Sequence, residues 1–131
     1  MALLIHRDRV LGWLIPLAIS CLLSACSSPF FYPDLWIRLT PDKLGLDYQD
    51  VALQTRDGPR IHAWHLLPDT PPKGVILVLH GNAENISTHI HSVAWLAESG
   101  YELLLLDYRG FGESHGSASL PAVFEDIEAA A

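Results

Sequence analysis

Gly112-Glu113-Ser114-His115-Gly116 has the G-x-S-x-G spacing that presents a nucleophilic serine. For that chemistry the serine must occupy a sharp corner where a strand runs into a helix. Its Oγ then stands clear of the backbone, within reach of a base and of oxyanion donors. The flanking sequence predicts a different setting. The strand pattern of "YELLLLD" ends near Leu106 or Asp107, about seven residues before Ser114, and the next helical pattern starts near Leu120. Ser114 is therefore expected in a turn-rich loop whose glycines permit positive φ, with His115 in solvent, and not as a nucleophile.

A second candidate is His80-Gly81-Asn82, which follows the apolar run "GVILVL". Gly81 carries no Cβ, so the backbone there can turn an N–H toward a ligand. Preorganised donors of that kind stabilise a developing oxyanion by on the order of 3 kcal/mol each. His80 is expected to shape this loop and not to act as a base. The seven histidines offer no metal-binding pattern. His89 and His91 are two apart on a predicted helix and diverge, whereas helical zinc pairs are four apart. His62 and His65 are three apart on a predicted strand, so they face opposite ways, and surface or edge positions are expected for both. Asp107 and Arg109 are expected as a buried structural ion pair near a strand end.

The elements that must position these residues form an α/β pattern. "YQDVALQT" and "RIHAWHLLP", on either side of Asp57-Gly58, predict an antiparallel hairpin. "GVILVLH" predicts a central strand buried on both faces. Ile86, Ile90, Val93, Ala94 and Ala97 recur at helical spacing, with Asn85 as N-cap and Gly100 as the stop. "YELLLLD" is the next buried strand. Strand, helix and strand with short joins make a βαβ unit and a parallel sheet. Pro121 suits the first turn of a further helix. Two parallel strands leave an apolar sheet edge open, an unlikely state for a finished fold.

The N-terminus predicts export. A short basic start (His6 to Arg9) precedes an apolar stretch from Val10 to Leu23, too short and interrupted for a good membrane span. Leu23-Ser24-Ala25-Cys26 resembles the lipobox of bacterial lipoproteins, which implies cleavage before Cys26 and a lipid anchor on it. Cys21 fits that pattern less well and falls within the removed segment. Ser27 lacks the acidic character associated with inner-membrane retention, which implies the outer membrane of a Gram-negative envelope. An ordinary secretory leader or an uncleaved anchor is the alternative. Loss of residues 1–25 takes the formal charge from −7 to −8 and leaves one cysteine, so no internal disulfide can form. An acidic surface speaks against nucleic acid and against electrostatic binding to anionic lipid. Residues 26–45, rich in proline and aromatics, read as a tether packed on the domain, with a membrane-surface role as the alternative. Residues 46–131 read as the domain.

Taken together, "LVLHGNAEN" and "LLLLDYRGFGESHG" resemble the N-terminal half of the α/β-hydrolase fold, in the branch of serine aminopeptidase-like serine hydrolases. The resemblance runs from about residue 46 to the end. It implies that His80, Gly81 and Asn82 form the oxyanion-hole loop, with the backbone N–H of Asn82 as donor and that of Ala83 as runner-up. It also implies an ester, thioester or amide substrate of small-molecule or peptide type, and no cofactor, since triad chemistry needs none. The nucleophile, acid and base of the family follow the helix that begins near Pro121, in the order Ser, Asp or Glu, His. They are expected beyond Ala131, and the 131-residue chain is expected to be inactive alone. The alternative is a non-catalytic lipoprotein or truncated-gene product that retains half of the fold.

Overall fold

A computed structural model of the chain describes residues 30–131. The export leader, Cys21 and Cys26, with the lipid attachment expected there, lie outside the described residues. A four-stranded sheet carries one helix on each face.

The strands of that sheet are β2 (Tyr48–Gln54), β3 (Arg60–Leu66), β4 (Val75–Leu79) and β6 (Glu102–Leu106). Their spatial order is β2-β3-β6-β4. β2 and β3 form the antiparallel hairpin, in register from Tyr48 opposite Leu66 to Gln54 opposite Arg60. β4 and β6 run parallel, Val75 beside Glu102 and Leu79 beside Leu106. Between them runs α1 (Ile86–Glu98), and after them α2 (Leu120–Ala130). A second, two-stranded sheet joins β1 (Tyr32–Pro33) to β5 (Ala83–Glu84) in parallel.

The period-2 alternation of the strands separates two cores. Trp64, Leu66, Leu103 and Leu105 face α1 and pack with Ile86, Ile90 and Ala97. Ile61, Ala63 and Leu106 face the other way and pack with Tyr108, Phe111 and Val123, the last of these from α2. α1 begins where the side chain of Asn85 accepts the N–H of Ser87, a standard capping bond. Pro121 lies in the first turn of α2, where a missing N–H costs nothing.

Two expectations about strands need correction. β4 is not central among the described strands: its one ladder partner is β6, its inner residues are half-buried, and Val75 and Leu79 are exposed. A leucine- and valine-rich run reports apolar surroundings on both faces and says nothing about whether both edges are paired. The open apolar edge read from the sequence is this outer edge of β4. His62 is not at the surface or an edge either. It is buried, on a strand flanked on both sides, with Nε2 2.8 Å from Asp50 Oδ1.

Candidate active site: the His80–Glu84 loop

The loop from His80 to Glu84 leaves the C-terminal end of β4 and enters the N-terminus of α1. Beside it, at the C-terminal end of the parallel neighbour β6, stands Asp107. Ligands of open α/β sheets bind at these carboxyl ends of the strands.

His80 has a fully buried side chain. Its ring lies against Tyr108 and Phe111, with centroids 4.5 and 4.8 Å away. Nε2 accepts the backbone N–H of Tyr108 in a long bond of 3.4 Å, so Nδ1 bears the proton and donates to Gly81 O at 2.8 Å. Burial holds the imidazole below its usual pKa, and the Asp107 carboxylate offsets that only in part. The ring is a neutral brace between β4, β6 and the loop. Gly81 and Asn82 are exposed at the loop's crest. The side chain of Asn82 donates to Phe30 O at 2.7 Å, and its carbonyl accepts the Tyr32 N–H at 2.8 Å. Its own N–H has no hydrogen-bond partner among the described residues.

The unusual backbone of this loop lies at Glu84 and not at Gly81. Gly81 has no positive φ, and a Cβ there would meet nothing within 4 Å. The left-handed residue is Glu84, at φ 65°, the one non-glycine residue with positive φ among those described. Strain of this kind collects at functional loops, and nothing in the residue type signals it.

Asp107 is fully buried and organises the floor of the site. Oδ1 accepts the first N–H of α1, from Ile86, at 2.9 Å and faces His80 Nε2 at 3.6 Å. Oδ2 faces His62 Nδ1 at 3.8 Å, and these two atoms lack a hydrogen bond among the described residues. Burial draws the His62 imidazole down, but the carboxylates of Asp107, Asp50 and Glu113 outweigh it and hold the ring above its usual value. Asp107 and Arg109 do not pair with each other, contrary to expectation. Arg109 reaches away from the strand end, with Nε and Nη2 on Asp126 Oδ1 at 2.9 and 2.7 Å and Nη1 on Asp57 Oδ2 at 2.6 Å.

Ser114 does not stand at a corner. β6 ends at Leu106 and α2 begins at Leu120. The serine is buried, donating from Oγ to Asp107 O at 2.7 Å and accepting the His62 N–H at 2.8 Å. Its hydroxyl thus ties the loop to β3, and no base reaches it. His115 is exposed, and Gly110, Gly112 and Gly116 adopt positive φ. Among the described residues, no group of three His, Cys, Asp or Glu side chains could hold a metal ion.

An apolar cavity of about 460 Å³ opens beside the loop. Phe30, Phe31 and Asn82 line it together with Leu120 and Phe124 of α2. The entry of the tether into the site was not legible from its residues. Asn85, read only as a cap, also donates to Asp34 O and Trp36 O, and so binds that segment to the loop.

Comparison with known proteins agrees with this geometry. Residues 70–129 match the family model described as serine aminopeptidase, S33. Over 105 residues the chain is 35% identical to the uncharacterized protein YfhR of Escherichia coli K12, a match covering 77% of this chain and 36% of YfhR. It is 35% identical over 94 residues to the alpha/beta hydrolase domain-containing protein WAV2 of Arabidopsis thaliana, covering 70% of this chain and 30% of WAV2. Among solved structures, the Pyrococcus furiosus esterase Pf2001 superposes with a TM-score of 0.63 at 25% identity, covering 76% of this chain and 39% of the esterase. The chain spans about a third of the length of the curated relatives it matches.

Proposed function

Because this chain belongs to the α/β-hydrolase superfamily and carries the N-terminal portion of its fold, we propose that it supplies the oxyanion-hole half of a serine hydrolase. The enzyme cleaves an ester, thioester or amide by acyl transfer. One observation carries the reading: Asn82, exposed and with a backbone N–H that no described residue engages, sits on a braced loop at the carboxyl ends of two parallel strands and lines an apolar cavity.

The chemistry follows from that placement. A serine Oγ attacks the substrate carbonyl while a histidine takes its proton, and the carbonyl oxygen becomes an oxyanion. The N–H of Asn82 donates to that oxyanion, with Ala83 as the alternative donor. The cavity between Phe30 and Phe124 receives an apolar part of the substrate. The nucleophile belongs to a further strand paired with the open edge of β4, followed by the acid and the base histidine. The 131-residue chain alone is inactive on this reading. Export and a lipid on Cys26 place the enzyme in the bacterial cell envelope, at the outer membrane.

In the longer protein that bears the nucleophile, Asn82→Pro removes the donor and is expected to lower kcat on a short-chain ester by on the order of 10²–10³. Asn82→Ala keeps the N–H and should stay near wild type. Circular dichroism checks that both variants fold. An equal loss in both, or no loss in either, would move the oxyanion donor elsewhere.

A further inference from the structure

In the segment from Phe30 to Arg38, four large apolar side chains face outward. Phe30, Tyr32, Leu35 and Trp36 are 51, 65, 65 and 77% exposed. Phe31, Ile37 and Leu39 point the other way and pack against the two cores. Exposed single apolar residues are ordinary, but four within seven positions are not.

Several backbone groups of this segment bond to the protein. Phe30 O accepts from the Asn82 side chain, and the Tyr32 N–H donates to Asn82 O. Asp34 O accepts from the Gly112 N–H and from Asn85, which also serves Trp36 O. The Trp36 N–H donates to the Asp34 carboxylate, and the Arg38 N–H to Ser87 Oγ. The two charges, Asp34 and Arg38, pair with each other. A surface that meets only water has no need of this arrangement. One that meets an apolar medium does, because unsatisfied backbone groups cost several kcal/mol each there.

We infer that Phe30, Tyr32, Leu35 and Trp36 form an interfacial contact with a phospholipid bilayer. The occupant follows from the chain that precedes the patch. Cys26 lies four residues before Phe30, a span of at most about 14 Å, so a lipid there holds the patch at the headgroup level. Tyr and Trp, apolar in the ring and polar at one edge, suit that depth. The net negative charge of the chain means that the contact is apolar and not electrostatic. Since Asn82 is bonded to Phe30 and Tyr32, the His80–Glu84 loop would open beside the bilayer surface. The choice of partner rests on the envelope placement proposed above.

The test uses the full chain on phosphatidylcholine vesicles brominated near the headgroups, with tryptophan fluorescence as the readout. Quenching is expected, is lost in Trp36→Phe, and is unchanged by molar salt. The buried Trp64, the exposed Trp95 and Trp13 of the leader stay constant between the two proteins and cancel in the difference. Intact mass separately reports whether Cys26 carries lipid. Trp36-dependent quenching without lipid on Cys26 upholds the contact and removes the anchor. Vesicle-bound, lipidated protein with the same quenching in wild type and Trp36→Phe overturns the contact and leaves the anchor standing. No quenching and no lipid overturns both. A Trp36 blue shift that depends on protein concentration in vesicle-free solution gives the patch to a second copy of the chain, and the bilayer contact falls.

Discussion

Arg109→Met is expected to destabilise the chain by about 3–5 kcal/mol, a large share of the roughly 5–15 kcal/mol typical of a domain. Arg109 and Asp126 are both buried, and the guanidinium grips Asp126 Oδ1 with two nitrogens. Methionine fills a similar volume but leaves the Asp126 carboxylate with the backbone N–H of residue 109 as its remaining donor. An uncompensated buried charge is the expensive outcome, more than the loss of the pair itself. Replacing both partners, Arg109→Met with Asp126→Leu, should therefore recover part of the loss, although that N–H then goes unpaired. Asp57→Asn should matter far less, since Asp57 lies at the solvent end of the network. The Arg109 fork holds the Asp57 carboxyl down to about 2. The stabilisation from that outer pair is thus present above the ordinary carboxylate range, near 4, and is lost as pH falls toward about 2. Urea denaturation of the four proteins measures this. A single Arg109→Met variant no less stable than Asp57→Asn would mean that the buried pair does not hold α2 to the loop.

Gly112→Ala is the second large effect. Gly112 sits at φ 49°, and a Cβ there would collide with Asp107 Oδ2. Asp107 cannot swing away, because its other oxygen holds the first N–H of α1. The left-handed conformation contributes about 1–2 kcal/mol for alanine, and overpacking about 1–3 kcal/mol more. Gly45→Ala isolates the first part: its φ is 74°, and an added Cβ meets nothing within 4 Å. The urea midpoint of Gly112→Ala should fall well below that of Gly45→Ala. Equal midpoints would mean that Asp107 moves freely and does not fix the floor of the site.

The regular elements could be read from the chain because their signals are local. Hydrophobic period, the Asn85 cap and Pro121 placed α1, β6 and α2 close to where they stand. The position of β4 in the sheet could not be read, since edge pairing depends on which other strand is present and not on β4's own residues. β1 is two residues long, and its partner lies some fifty residues away, so no period could announce it. His62 was placed at the surface because histidine is most often there. It is buried because Asp50, Asp107 and Glu113, from three separate segments, surround it. The partners of Arg109 were equally hidden, except for one signal. Asp126 stands three residues after the buried Val123 on the inward stripe of α2, where a charge demands a buried counter-ion. Within the site, the His80–Asn82 loop was visible as a motif. Its braces from Phe30, Tyr32 and Asp34 were not, because the tether carries no pattern of its own.

The most direct test of whether this chain contributes an oxyanion loop and not a nucleophile is the intact mass of the 131-residue protein after incubation with a fluorophosphonate, which reacts with activated serines. The buried Ser114, bonded to Asp107 O and the His62 N–H and with no base at its Oγ, should take up no adduct. A stoichiometric adduct mapped to Ser114 would contradict this, and would make the Gly112–Gly116 loop the catalytic corner.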